Sequence, residues 1–389
     1  MRLFLVVSLS AALSAAQAIK HPGLLHTEDD FARIRGFVDS KTEPFYTGWQ
    51  KLANHADAKW EPRVTDVICR GVTDWCSQNI ANFFQDVHSA YANAIYWKVT
   101  GDTANADAAA RVIDAWSEKA PPIQGNADRY LAAGLQGYQF ANAAEILRDY
   151  EGWDGYQRIS DYLSSEFYSN NHRFLTEHND APLENYWANW DLCNIASMYA
   201  IGVLSDNRTM MNEATDYFKH GGGMGTVEHG IWFIHKEEGS EKSLGQNQES
   251  GRDQGHTLMN MGLFGVVAQQ GYNQGDDLFA YLDNRILAGA EYAFKYNTDH
   301  DVPFEPYENS RHGRQTVVDP RGRGQAKPIA EMIHAHYTSV KGLNASWTGV
   351  YRDKVVEEAG GAEGGGGDYG PNSGGYDQLG FGTILFRRE

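Results

Sequence analysis

The chain has 389 residues, with 33 Lys and Arg against 51 Asp and Glu, for a formal net charge of −18 at neutral pH. That balance argues against a nucleic-acid partner, and an anionic ligand would need locally basic or neutral donors where it binds. Ten Trp and 21 Tyr are many for this length; most should be core material, although flat aromatic faces also suit sugar rings.

At the N-terminus, Arg2 precedes an apolar run from Leu3 to Ala16, and Ala16-Gln17-Ala18 has the small-x-small pattern of a signal-peptidase site. Residues 1–18 are therefore expected to be a signal peptide and residues 19–389 a single secreted, extracellular domain. The apolar run is shorter than the roughly 20 residues a membrane span needs, so no membrane association is expected after cleavage. Two glycosylation triplets agree with this route, Asn207-Arg208-Thr209 and Asn344-Ala345-Ser346. Of the three cysteines, Cys69 and Cys76 lie close together in a polar stretch and are expected to pair. Cys193 sits in an apolar helical run and reads as a buried free thiol.

Helical spacing dominates the rest. Phe84, Val87, Tyr91, Ala94 and Ile95 share one face, Gly101-Asp102 ends that element, and a second helix spans Thr103 to Lys119 before Pro121-Pro122. Further helices are expected over about Ala127 to Tyr150, Tyr186 to Leu204, Thr209 to Phe218, Gly251 to Gln270 and Asp276 to Tyr296. Asp299 to Arg323 is polar and rich in Gly, Pro and Arg, which suggests a long loop over a cleft. A last helix is expected near Ile329 to Lys341, a flexible Gly-rich loop over Gly360 to Gly375, and a short extended segment from Tyr376 to Phe386. Short connections between helices favour antiparallel pairs, so the expected fold is mainly α, an incomplete α/α toroid.

Two segments carry candidate chemistry. In Gln248-Glu249-Ser250-Gly251-Arg252-Asp253-Gln254-Gly255-His256, a helix would place Glu249, Arg252, Asp253, His256 and Asn260 on one face. An apolar run follows, so this charged stripe either lines a polar cleft or ties two helices together as an ion-pair network. In Glu184-Asn185-Tyr186-Trp187-Ala188-Asn189-Trp190-Asp191, Asn189 stands near the start of a buried helix, where an Asn by itself reads as a cap. Gly221-Gly222-Gly223-Met224-Gly225 lacks the βαβ setting of a dinucleotide site, and no metal-ligand or nucleophile-elbow motif is found, so no cofactor or metal is expected.

These two segments, together with His21-Pro22-Gly23-Leu24-Leu25 and Tyr96-Trp97-Lys98-Val99-Thr100-Gly101-Asp102, resemble the alginate-lyase superfamily of α/α-toroid polysaccharide lyases, in the same order over most of residues 19–389. The resemblance implies a secreted lyase that cleaves a 1,4-linked uronic-acid polysaccharide, alginate or glucuronan, by β-elimination; the protein is expected to be a monomer. Asn189 falls where these lyases place an Asn that neutralises the substrate carboxylate. The following residue, often a His in the family, is Trp190 here. His256 falls where relatives carry a catalytic Tyr or His, and Tyr307 matches a Tyr that others bring from a later loop, with Tyr296 as its rival. Gln248, Arg252, Trp190 and Tyr186 are expected to support substrate binding, and Glu249 to orient His256 or Arg252. Two other readings remain: a glycoside hydrolase using Glu249 and Asp253, and a non-catalytic protein that binds acidic polysaccharide.

Overall fold

The computed structural model describes residues 18–389, so the expected signal peptide lies, except for Ala18, outside the described residues. The chain opens with α1 (Glu28–Ser40), capped by Thr27 and Asp30 in reciprocal hydrogen bonds, and α2 (Phe45–His55). A two-residue strand, β1 (Ile68–Cys69), leads to the pair α3 (Ile80–Thr100) and α4 (Thr103–Lys119). Gly101 closes α3 in the left-handed conformation at φ 78°, and the Asp102 side chain caps α4. After β2 (Ile123–Gln124), parallel to β1, come α5 (Arg129–Leu147), α6 (Tyr156–Tyr162), α7 (Ser169–Glu177), α8 (Ala188–Leu204) and α9 (Arg208–His220).

The helices sort into inner and outer by their sequences. All but one residue of Tyr130–Leu147 on α5 are buried, and α8 is buried throughout except at Trp190. Both are mostly apolar or small, as enclosed helices must be. The polar residues they carry are buried as well, among them Gln139, Asn142 and Glu145 on α5 and Asp191 and Asn194 on α8. The outer helices α4 and α9 bury only one face. α5 packs on α3 and α8, and α8 also packs on α9 and on the later α11. This is the mainly helical, toroid-like arrangement expected from the sequence.

The second half adds α10 (Val227–Gly230), an antiparallel hairpin of β3 (Ile231–Lys236) and β4 (Ser243–Asn247), α11 (Gln254–Asn273) and α12 (Tyr281–Tyr296). A smaller hairpin, β5 (Tyr307–Asn309) and β6 (Gly313–Gln315), interrupts the expected long loop. α13 (Ala330–Ala335), α14 (Ser346–Glu358) and α15 (Gly382–Leu385) complete the chain. No helix among the described residues is long and apolar enough to cross a membrane.

Several expectations need correction. The helix expected from Gly251 begins only at Gln254, because Asp253 adopts extended backbone and caps it. Residues 247–253 form turns instead, with Ser250 N–H donating to Asn247 O and Arg252 N–H to Glu249 O. The final segment is not extended, since it ends in α15. The Gly-rich stretch is packed, with Ala362 and Glu363 fully buried. A Cβ on Gly365 would lie 2.1 Å from the Phe381 ring, so here glycine permits close packing in place of flexibility. The helices α1, α2, α6, α7 and α14 and the β3–β4 hairpin were not anticipated.

Cys69 and Cys76 form the expected disulfide, and Cys193 is a buried free thiol whose pKa burial pushes up. Replacing both bridged cysteines with Ser should lower stability by about 2 kcal/mol, the order for so short a closed loop. Thermal melting should show a Tm lower by a few degrees; an unchanged Tm would mean the bridge adds nothing to the fold.

Candidate active site

Helix α8 begins where Tyr186 and Trp187, both in extended backbone, turn into it. Its first N–H groups have no partner within the helix. Two side chains of the preceding turn on another element supply them: Ala188 N–H donates to Gln248 Oε1 at 3.0 Å, and Asn189 N–H to Glu249 Oε1 at 2.9 Å. Glu249 also accepts from Asn189 Nδ2 at 3.2 Å, Asn260 Nδ2 at 3.1 Å and Arg252 Nη1 at 2.7 Å. It is fully buried. A buried carboxylate is tolerable when charged and dipolar donors surround it like this, the α8 N-terminus among them. Glu249 therefore orients Asn189 and Arg252. It does not bond His256.

Asn189 is buried, with one amide hydrogen committed to Glu249 and a second left to donate. Arg252 lies 5.3 Å over the Trp187 ring, with about a quarter of its side chain in solvent. Neutral and cationic donors thus meet on one side of a strongly acidic protein.

His256 sits in the first turn of α11, with about a third of its side chain exposed. The cap of that helix holds it: Asp253 Oδ1 accepts from His256 N–H at 2.9 Å, and Asp253 Oδ2 lies 2.7 Å from His256 Nδ1. Burial works against the Asp253 charge, but hydrogen bonds from the His256 ring and backbone and the fields of His256 and Arg252 outweigh it, lowering its pKa to about 2. An ionised carboxylate can only accept, so Nδ1 carries a proton, and Nε2 is the ring nitrogen not engaged by the cap.

Tyr307 comes from β5 and is 6% exposed. Its hydroxyl accepts from Gly251 N–H at 3.0 Å, placing it on the turn between Glu249 and Arg252. Burial pushes its pKa well up despite the opposing Gly251 hydrogen bond, so near neutral pH it is a phenol with a proton to give. The surrounding loop is laced to the same region, with Glu305 N–H bonded to Gln246, Asp319 N–H to Ser250 O and Gln254 N–H to Arg321 O. The rival Tyr296 lies instead beneath Arg323, whose guanidinium stands 3.9 Å from its ring.

A family model described as alginate lyase matches residues 71–302, more than half of the chain. The chain belongs to the alginate lyase family, and it is a polysaccharide lyase. No curated protein sequence matches this family member. Among solved structures it is similar to alginate lyase A1-III from Sphingomonas species A1, at 16% identity and a TM-score of 0.53 over 85% of this chain and 91% of that one. A form of A1-III complexed with a tetrasaccharide aligns at 14% identity and a TM-score of 0.60, covering 96% and 97% of the two chains. An alginate lyase from Bacteroides ovatus aligns at 11% identity and a TM-score of 0.58, covering 86% and 96%. Likeness at such low identity speaks for the fold alone.

In this alginate lyase family member, Trp190 and Tyr186 meet, with ring centroids 4.8 Å apart. Both pack around Phe174 of α7, at ring distances of 5.8 and 5.1 Å. Gln248 is 1% exposed, with its oxygen spent on α8. One site residue escaped sequence reasoning. His312, in the β5–β6 turn, stacks on Trp187 at 5.1 Å, and burial with the Arg252 and Arg311 charges lowers its pKa. Nothing in a polar loop sequence marks it. Among the described residues, no group of three or more His, Cys, Asp or Glu is placed to hold a metal ion.

Proposed function

We propose that the protein is a secreted lyase that cleaves a 1,4-linked uronan, alginate or glucuronan, by β-elimination. In that reaction a base removes the C5 proton, the electron pair forms the C4–C5 double bond, and O4 departs with a proton. The first step is hard because it adds negative charge beside an existing carboxylate. Asn189, aimed by Glu249, and Arg252 would hold that carboxylate with donors already in place. His256 would take the C5 proton on Nε2, and Tyr307 would protonate O4.

The observation that carries this reading is the division of protonation states. An ionised Asp253 prepares His256 as a base, while burial keeps Tyr307 an acid. The same geometry disfavours the hydrolase: Glu249 is sealed among four donors and Asp253 is committed to the His256 ring and backbone, so neither is free to serve a glycosidic oxygen. The test is digestion of mannuronate-rich and guluronate-rich alginate and glucuronan. Products should absorb in the ultraviolet through the new double bond. New reducing ends without that absorbance would indicate hydrolysis, and no cleavage would leave a binding protein.

A further inference from the structure

Three consecutive residues meet the turn that carries Glu249. Ala188 and Asn189 do so through backbone N–H groups bonded to Gln248 and Glu249, and Trp187 through its ring, 5.3 Å from the Arg252 guanidinium. That ring is 3% exposed, and its Nε1 is buried without a hydrogen-bond partner among the described residues. A buried, unpaired N–H carries a cost that a phenylalanine would not have, so the indole serves through its face. Among aromatic side chains, tryptophan offers a cation the strongest face.

Arg252 needs such a face. Its Nη1 donates to Glu249 at 2.7 Å, while its Nε stands 3.8 Å from Asp253 Oδ2, beyond hydrogen-bond reach. One hydrogen bond fixes one nitrogen and leaves the rest of the guanidinium fork free to swing. The same indole also receives the β5–β6 turn. His312 stacks on it at 5.1 Å with an interplanar angle of 26°. Asn309 secures that turn, accepting from His312 N–H at 2.8 Å and donating to Glu184 O at 2.9 Å. The segment before α8 thus holds both a cation of the site and the hairpin that bears Tyr307.

We propose that Trp187 is a positioning residue: its ring fixes the Arg252 guanidinium where a uronate carboxylate meets it and seats the His312 turn beside it. Buried as it is, the ring acts through these two side chains. The inference rests on the uronan reading above and adds to it a residue that works through Arg252.

The test is a double-mutant cycle of Trp187→Leu with Arg252→Gln, which separates an action through Arg252 from a general loss of packing. Affinity is measured by calorimetry for saturated hexauronates of mannuronate, guluronate and glucuronate, at low ionic strength and where turnover is negligible. Trp187→Leu should weaken the tightest of these about three- to thirtyfold, the range of a cation–aromatic contact. In the Arg252→Gln background the same change should cost less than about twofold, because the cation it served is gone. Trp187→Phe keeps an aromatic face and should restore most of the affinity. If Trp187→Leu melts too low to measure, the cycle is read with Trp187→Phe, whose weaker face should cost about two- to threefold only while Arg252 is present. Equal losses in both backgrounds, wild-type affinity in Trp187→Leu, or no binding of any hexauronate by the wild type would overturn the proposal. Coupling in affinity without unsaturated products would sink the reaction assignment and leave this one standing.

Discussion

His256→Ala should reduce turnover at least about 10³-fold, toward the upper end for a single positioned proton-transfer group. Two features argue for so large a loss. The imidazole is prepared for the task, because its Nδ1 is tied to an ionised carboxylate and only Nε2 can act. No other base is bonded to the same cap. His312, stacked on the Trp187 ring that also carries Arg252, is the imidazole that could compete. Steady-state kinetics on the cleaved uronan decide between them: if His312→Ala removes turnover and His256→Ala does not, the base belongs to the hairpin. The folded-state pKa of Asp253 is depressed to about 2, so its charge is kept above the ordinary carboxylate range and lost only as pH falls through about 2. Asp253→Asn should lower turnover, since an amide whose oxygen keeps the backbone cap turns its NH2 toward Nδ1 and no longer holds the imidazole in the same tautomer.

Tyr307→Phe should nearly abolish turnover, by about 10²–10⁴-fold, while substrate still binds. The hydroxyl is the proton donor to O4, and burial holds its proton against loss at any working pH. The change also strips Gly251 N–H of its acceptor, so a stability loss of about 1 kcal/mol should accompany it. Tyr296→Phe is the control and should be mild, since that ring serves as a platform for Arg323. A dead Tyr296→Phe beside an active Tyr307→Phe would transfer the acid role to the end of α12. Substrates with a better leaving group at C4 should recover part of the rate lost in Tyr307→Phe, which a folding defect would not allow.

Two of the catalytic candidates, Asn189 and His256, were legible to different degrees. Asn189 could be found because an Asn beside three aromatics at the start of an apolar helix matches a family position. His256 could be found because a His that begins such a helix is costly without a purpose. The expected stripe from Glu249 to Asn260 was wrong in detail, because a helical projection assumes that one helix carries them all. Asp253 prefers to cap, and that breaks the helix between Arg252 and Gln254. Glu249 and Asn260 still meet, through a turn folding back.

Local pattern by itself determined the helical class, the end of α3, both limits of α4, the Cys69–Cys76 bridge and the burial of Cys193. Each depends on the period of apolar residues, on cap and breaker residues, or on cysteines only a few positions apart. Tertiary structure alone decided that Glu249 serves Asn189 and Arg252, that Asp253 serves His256, and that Tyr307 and His312 come to the turn while Tyr296 lies under Arg323. Most of those are pairings between residues far apart in the chain, up to 125 positions for Trp187 and His312, made by hydrogen bonds and ring contacts that leave no periodicity in the chain. A side chain's charge state follows its burial and its neighbours, and both exist only once the helices have packed.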